Sequence, residues 1–173
     1  SVASKIKAGA IPREFIPSVE AGAREALQRG VLATYPTVDM KVTLRDGSYH
    51  EVDSSEVAFK MAGSIALKEG VRQGKPVLLE PIMKLEIFTP EQFLGEVLSD
   101  VDARRAQIEG VEIRGDMRVI HGYVPLGETF GYTTVLRSLS QGKATHSMEF
   151  HRYQEVPPAL AQQVIVRIKG RVA

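Results

Sequence analysis

Residues 106 to 125 constrain the fold of this chain more than any other stretch. Two extended segments, Ala106 to Arg114 and Met117 to Pro125, meet at Gly115-Asp116, a turn pair, and are predicted to form a hairpin. Before it, Thr89-Pro90-Glu91 opens a helix with Pro at its first position, and Phe93, Leu94, Val97, Leu98 and Val101 supply the apolar face. After it, a second helix is expected from about Thr129 to Leu139, stopped by Gly142. An extended run through Leu78, Leu79, Ile82, Met83, Leu85 and Ile87 precedes the set, and a last strand, Ala144 to Phe150, completes it.

The resulting order, βαββαβ, is the split ferredoxin-like arrangement, in which four antiparallel strands carry two helices on one face. A further amphipathic helix is predicted over the tail from Pro157, where Leu160, Val164 and Ile168 are spaced by four. Gly70 to Pro76, with Gly74, Lys75 and Pro76, reads as a hinge, so the expected domains are residues 1–74 and 75–173. The fold class is α+β.

The first domain offers less. Residues 1 to 11 are too short to assign between strand and loop. Pro12 and Pro17 lead into a helix whose Ile16, Val19, Ala23, Ala26 and Leu27 face a core, with Gly30 as the stop. A strand is predicted from Thr37 to Arg45, with Val38, Met40, Val42 and Leu44 on one face. A second helix is expected from Ser54 to about Glu69, with Val57, Ala58, Met61, Ala62, Ile65 and Ala66 as its buried stripe and Gly70 as its end. Between strand and helix lies Arg45-Asp46-Gly47-Ser48-Tyr49-His50-Glu51-Val52-Asp53-Ser54-Ser55-Glu56. A capping box in which Asp53 accepts from the Glu56 amide, and Glu56 reaches back, would pin this loop to the helix. One good strand lacks partners for both edges, so the first domain is expected to be incomplete and to pair with a second copy along the open edge.

Charge narrows the functional classes only weakly. Twenty-two basic against 21 acidic residues give a formal charge of +1, so any nucleic-acid footprint has to be local. The chain has no cysteine, which removes disulfides and thiolate zinc sites. No apolar run approaches the roughly 20 residues needed to cross a bilayer, and a cytoplasmic location is expected. Arg104, Arg105, Arg114, Arg118 and Arg137 are candidates for an RNA-binding patch, although Arg104-Arg105 also complement the end of a helix. His50, Glu51 and Asp53 are weighed as a metal or acid-base set, which needs a cleft or three convergent ligands. His121, His146 and His151 are expected at surface or rim positions, His146 and His151 on opposite faces of the last strand. The second domain looks superficially like an RNA-recognition motif, but Arg118, Ile120 and Gly122 on its central strand would be poor stacking platforms.

Long strings in this chain resemble the C-terminal part of bacterial elongation factor G, a translational GTPase. They include Gly9-Ala10-Ile11-Pro12, Ile16-Pro17-Ser18-Val19-Glu20-Ala21-Gly22, the loop from Asp46 to Glu56 and Pro76-Val77-Leu78-Leu79-Glu80-Pro81-Ile82-Met83. Others are Arg104-Arg105, Val124-Pro125-Leu126, Phe130-Gly131-Tyr132, Leu136-Arg137-Ser138 and Met148-Glu149-Phe150. The resemblance implies the second part of domain IV, a ribosomal-protein-like fold with two helices on a mixed sheet, followed by domain V of ferredoxin-like type. It implies that residues 46–55 form the domain IV tip, with Ser48, Tyr49, His50, Glu51, Val52, Asp53 and Ser54 contacting transfer RNA and messenger RNA in the decoding centre. The Arg104, Arg105, Arg114, Arg118 and Arg137 side chains would meet ribosomal RNA. The implied partners are the ribosome, its RNA, and A-site transfer and messenger RNA. GTP and magnesium would belong to a G domain upstream, since no Gly-x-x-x-x-Gly-Lys-Ser/Thr occurs here, and this part would be neither an enzyme nor a cofactor binder. The family usually has glycine where Ser99 and Ala106 stand and an acid at Val135, which keeps a paralogue for ribosome recycling or tetracycline resistance in view. A ferredoxin-like module that binds a small regulatory ligand is the alternative from another class.

Overall fold

The computed structural model describes residues 1–6 and 10–172, the side chains of residues 169, 171 and 172 excepted. Gly9, which opens one of the matching stretches, lies outside the described residues. The chain divides into two compact units, residues 79–156 and the remainder on either side.

In the first unit, β1 (Val2–Ser4) and β2 (Val42–Leu44) form a parallel pair in which Val2 lies opposite Val42 and Ser4 opposite Leu44. Among the described residues this sheet has two strands. The alternation from Thr37 does not make a longer strand, because Asp39 takes a left-handed conformation (φ 55°) and the Thr37 amide donates to the Leu27 carbonyl at 2.7 Å. Val38 is accordingly exposed.

Helix α1 (Ile16–Arg29) starts with Pro17 in its first turn and ends at Gly30, as expected. Helix α2 (Glu56–Gln73) departs from expectation twice. Its buried positions are Phe59, Gly63, Leu67 and Val71, while Val57, Met61 and Ile65 of the predicted stripe are exposed. Two apolar registers compete on this helix, and the one containing the aromatic ring, which buries the most area, is turned inward. The helix also passes Gly70 and ends at Gly74, since Val71 is held in the core. Ala23, Ala26, Leu67 and Val71 form one apolar cluster, and Ile11, Val19 and Phe59 another. Close approach is built in with glycine. A Cβ on Gly22 would stand 1.9 Å from the Lys60 carbonyl oxygen, and one on Gly63 2.4 Å from that of Val19.

The second unit has strands β3 (Leu79–Pro90), β4 (Gln107–Arg114), β5 (Met117–Pro125) and β6 (Thr145–Glu155), with helices α3 (Leu94–Ala103) and α4 (Tyr132–Leu139). The sheet order β4-β5-β3-β6 with every pair antiparallel is that of the ferredoxin-like fold. Gly115 adopts φ 63° in the hairpin, a conformation that glycine enters without steric cost. Pro90 closes β3, and a short 3-10 turn (Glu91–Phe93) intervenes before α3. Likewise α4 begins at Tyr132 instead of Thr129, after a 3-10 turn over Leu126–Glu128 and a left-handed Gly131. Leu85, Ile87, Val97, Val101, Ile120, Val124 and Leu136 fill the space between sheet and helices. Strand β6 runs five residues past the predicted end at Phe150, and a register shift leaves His151 as an extra residue, since Met83 pairs with Phe150 and Ile82 with Arg152.

Helix α5 (Pro158–Val172) groups with the first unit, whereas the expected boundary attached it to the second. Leu160, Val164 and Ile168 are half-buried and Val166 is exposed, the one-sided pattern that their spacing predicts.

Candidate nucleic-acid interface

The loop between β2 and α2 is held by four local devices. At its base Gly47 lies so close to Ile11 that a Cβ would fall 2.4 Å from the Ile11 Cδ1. Next, the Tyr49 ring stacks on Phe15 with centroids 6.1 Å apart, and Phe15 stacks on the buried Phe59 at 4.7 Å. At the far end, the His50 amide donates to the Ser54 Oγ at 3.0 Å while the Ser54 amide donates to the His50 carbonyl at 3.1 Å. This reciprocal clasp closes residues 50–54 into a small ring of chain. Finally, Ser55 in extended conformation caps α2, its Oγ accepting from the Ala58 amide at 3.1 Å.

The predicted capping box is therefore replaced. Ser54 is occupied by the clasp, so the helix begins one residue after Ser55, and the cap falls to Ser55 instead of Asp53. Asp53 is left to face solvent. Ser48, Tyr49, His50, Glu51, Val52 and Asp53 are all exposed and Ser54 is half-buried, so the structure brings the predicted site residues together on one projecting tip. Val52 stands at 94% exposure, an apolar side chain with nothing around it. The flanks are acidic, with Asp46, Glu51, Asp53 and Glu56 against Arg45 and His50. A loop of this charge does not attract phosphate over distance. Among the described residues no three His, Asp or Glu side chains converge as a metal site.

The five arginines expected to meet RNA have different fates. Arg104 donates to Asp100 Oδ2 at 2.8 Å and to the Glu128 carbonyl at 2.8 Å, and lies over the Tyr132 ring. Arg105, in a left-handed conformation, is paired with Glu80 and with Glu128, whose carboxylates hold its guanidinium pKa above the ordinary value. Arg114 is bidentate to Glu112, and Arg118, 13% exposed, pairs with Glu91 at 2.7 Å. Arg137 alone of the five is exposed with no carboxylate partner among the described residues. Arg104, Arg105 and Arg118 thus tie separate segments of the second unit together, Arg114 pairs only with a neighbour on its own strand, and Arg137 is left exposed without a carboxylate among the described residues.

The histidines of the second unit also separate. His121 bridges Glu86 and Glu112 at 3.3 Å each. His146 is half-buried at the rim of the core, where it packs edge-on against the buried Tyr132 at 5.0 Å, and burial pushes its pKa down. Tyr132 has a hydroxyl without a hydrogen-bond partner among the described residues, and burial pushes its pKa well up. His151 stacks on Tyr123 across the opposite face of the sheet. Sequence reasoning missed Tyr123 because it tested the wrong parity of β5. Ile120 and Gly122 lie opposite the core residues Ile87 and Leu85, so they face the helices, and Tyr123 faces away. The signal was available, since Ile120, Gly122 and Val124 are the apolar or small set.

Comparison with known proteins agrees with this architecture. Residues 1–75 match the family described as Elongation factor G, domain IV, and residues 77–164 match Elongation factor G C-terminus. A protein from Thermus thermophilus of known crystal structure is 41% identical over 98% of this chain, with a TM-score of 0.81. The chain spans 26% of that protein's length. On the two family matches and this likeness, the chain belongs to the elongation factor G family of translational GTPases and comprises its domain IV and C-terminal sequences.

Proposed function

We propose that this chain is the ribosome-facing part of a cytoplasmic translocation factor, and that its clasped tip enters the decoding centre to hold transfer RNA and messenger RNA as they move. The observation that carries this reading is the tip itself: His50 and Val52 project from a loop fixed by ring stacking at one end and a helix cap at the other. An imidazole, a hydroxyl and backbone amides on a stiff support address 2′-hydroxyls and phosphates without reading sequence, which suits a factor that accepts every transfer RNA. Acidic flanks keep the tip from sticking to RNA at large. Bulk affinity then comes from elsewhere on the whole protein, including the unpaired Arg137, and GTP with magnesium would be bound by its G domain. This part supplies contact and leverage instead of bond chemistry.

The test is His50→Ala in the full-length parent, read by single-turnover translocation on ribosomes. Translocation is expected to slow by about tenfold, as the loss of one hydrogen bond to RNA worth roughly 1–1.5 kcal/mol implies. The melting temperature and ribosome-stimulated GTP hydrolysis stay close to wild type. Translocation at the wild-type rate would remove His50 from the role given to it.

A further inference from the structure

The sheet face that points away from α3 and α4 carries a second aromatic feature, remote in sequence from the tip. Tyr123 on β5 lies opposite Lys84 on β3, and both point away from the helices. On β6 the register shift at His151 makes two consecutive side chains, His151 and Arg152, reach the same ring, which an unbroken strand would prevent. The Tyr123 and His151 rings stack at 4.7 Å with 28° between their planes, and the Arg152 guanidinium lies 5.3 Å from the Tyr123 centroid. Arg152 donates to Gln154 at 3.0 Å and has no carboxylate partner among the described residues. Lys84 is 3.7 Å from Glu149, a loose and exposed pair. Of the acidic groups of this face, Glu86 and Glu112 are gathered around His121 and Arg114, and Glu149 lies opposite Lys84 with its carboxylate turned to solvent.

We propose that the Tyr123–His151 stack receives an unpaired base of single-stranded RNA, with the flanking phosphates on Arg152 and Lys84. Stacked rings backed by a guanidinium present a flat π surface to any base, and the cations beside them match the phosphates on either side of it. A bulge that interrupts the ladder while aligning an imidazole and a guanidinium on one ring has a ready purpose in such a platform. The proposal rests on the reading of this chain as an RNA-contacting part of a ribosomal factor only for the class of its partner. The surface is distinct from the tip.

The experiment titrates the 173-residue chain with a uridine hexanucleotide carrying a central 2-aminopurine, whose fluorescence is quenched on stacking. Binding with quenching is expected, weakened about tenfold or more by Tyr123→Leu, as loss of one base stack implies. Arg152→Gln is expected to lower the dependence of log K on log salt by about 0.7, the share of one single-strand phosphate contact. Arg114→Gln, at the acidic end of the same face, leaves binding unchanged. No quenching, or equal affinity for wild type and Tyr123→Leu with matched melting temperatures, overturns the proposal. Should Tyr123→Leu unfold the unit, Arg152→Gln, fully at the surface, decides the matter: an unchanged affinity and salt slope overturns it. Capture of a protein by the stack with no oligonucleotide binding also overturns it. Because His50→Ala is scored by translocation and this platform by oligonucleotide binding, either proposal can fail while the other stands.

Discussion

Two serines decide how the tip is held, and the sequence pattern assigns neither of them the role it plays. Ser54 closes the clasp with His50, and Ser55 caps α2. The two candidates for the cap, Asp53 and Ser55, make opposite predictions under substitution. Ser55→Ala is expected to lower the stability of the first unit by about 1 kcal/mol, and Asp53→Ala by no more than a few tenths, in urea unfolding followed by circular dichroism. A larger loss for Asp53→Ala would return the cap to that residue. Side-chain partners of this kind were only half legible. Asp53, Ser54 and Ser55 are all good caps, and the choice among them depends on a hydrogen bond four residues upstream. That Ser48 to Asp53 form an exposed loop was legible, since they lie between a strand and a helix start and are mostly polar. Tyr49 is the exception in role: its ring also serves as an anchor against Phe15, a residue 34 positions away that spacing does not reveal.

At the scale of elements, the ferredoxin-like unit could be read almost whole and the first unit could not. Strands β3 to β5 are bounded by clear turn signals, Pro90 after β3 and Gly115-Asp116 between β4 and β5, so their extents were legible even where Val119 and Ile120 bury both parities of β5. Helix α2 has two apolar registers, and only the partner α1 selects between them. Small residues were rightly read as a sign of close packing, but the contact is made by Gly22 and Gly63 and not by Ala58, Ala62 and Ala66. Gly63→Ala therefore drives a methyl group into the Val19 carbonyl. A loss of about 1–3 kcal/mol is expected in spite of the better helix propensity of alanine. Gly70→Ala on the same helix, where a Cβ meets nothing within 4 Å, is expected to be neutral or slightly stabilising. Equal effects at the two positions, measured by thermal melting, would show that the helices do not cross as described.

For the molecule as a whole, each unit has its own core and its own sensitivity. The first relies on two small clusters around α1, α2 and a two-stranded sheet, and the second on one larger core under four strands. Calorimetry is expected to show two transitions, with the first unit melting lower, because a pair of strands adds little stability of its own. Between about pH 7 and 6, where histidine titrates and carboxylates do not, acidification should move the upper one. His146 is held below its ordinary pKa of 6.5 by burial, so the unfolded chain takes up its proton first as the pH falls. Stability from this group is full above about pH 6.5 and declines below it towards the folded value, and His146→Asn should flatten that decline. A transition insensitive to pH in wild type, or equally sensitive in the variant, would contradict the burial argument. The His50–Ser54 clasp has one more implication. Since the ring of chain is shut from within, Glu51, Val52 and Asp53 can be exchanged or lengthened without re-aiming what sits at its neck, much as a nib is swapped while the pen barrel stays in the hand. Evolution or an engineer could retune what the finger feels without rebuilding the finger.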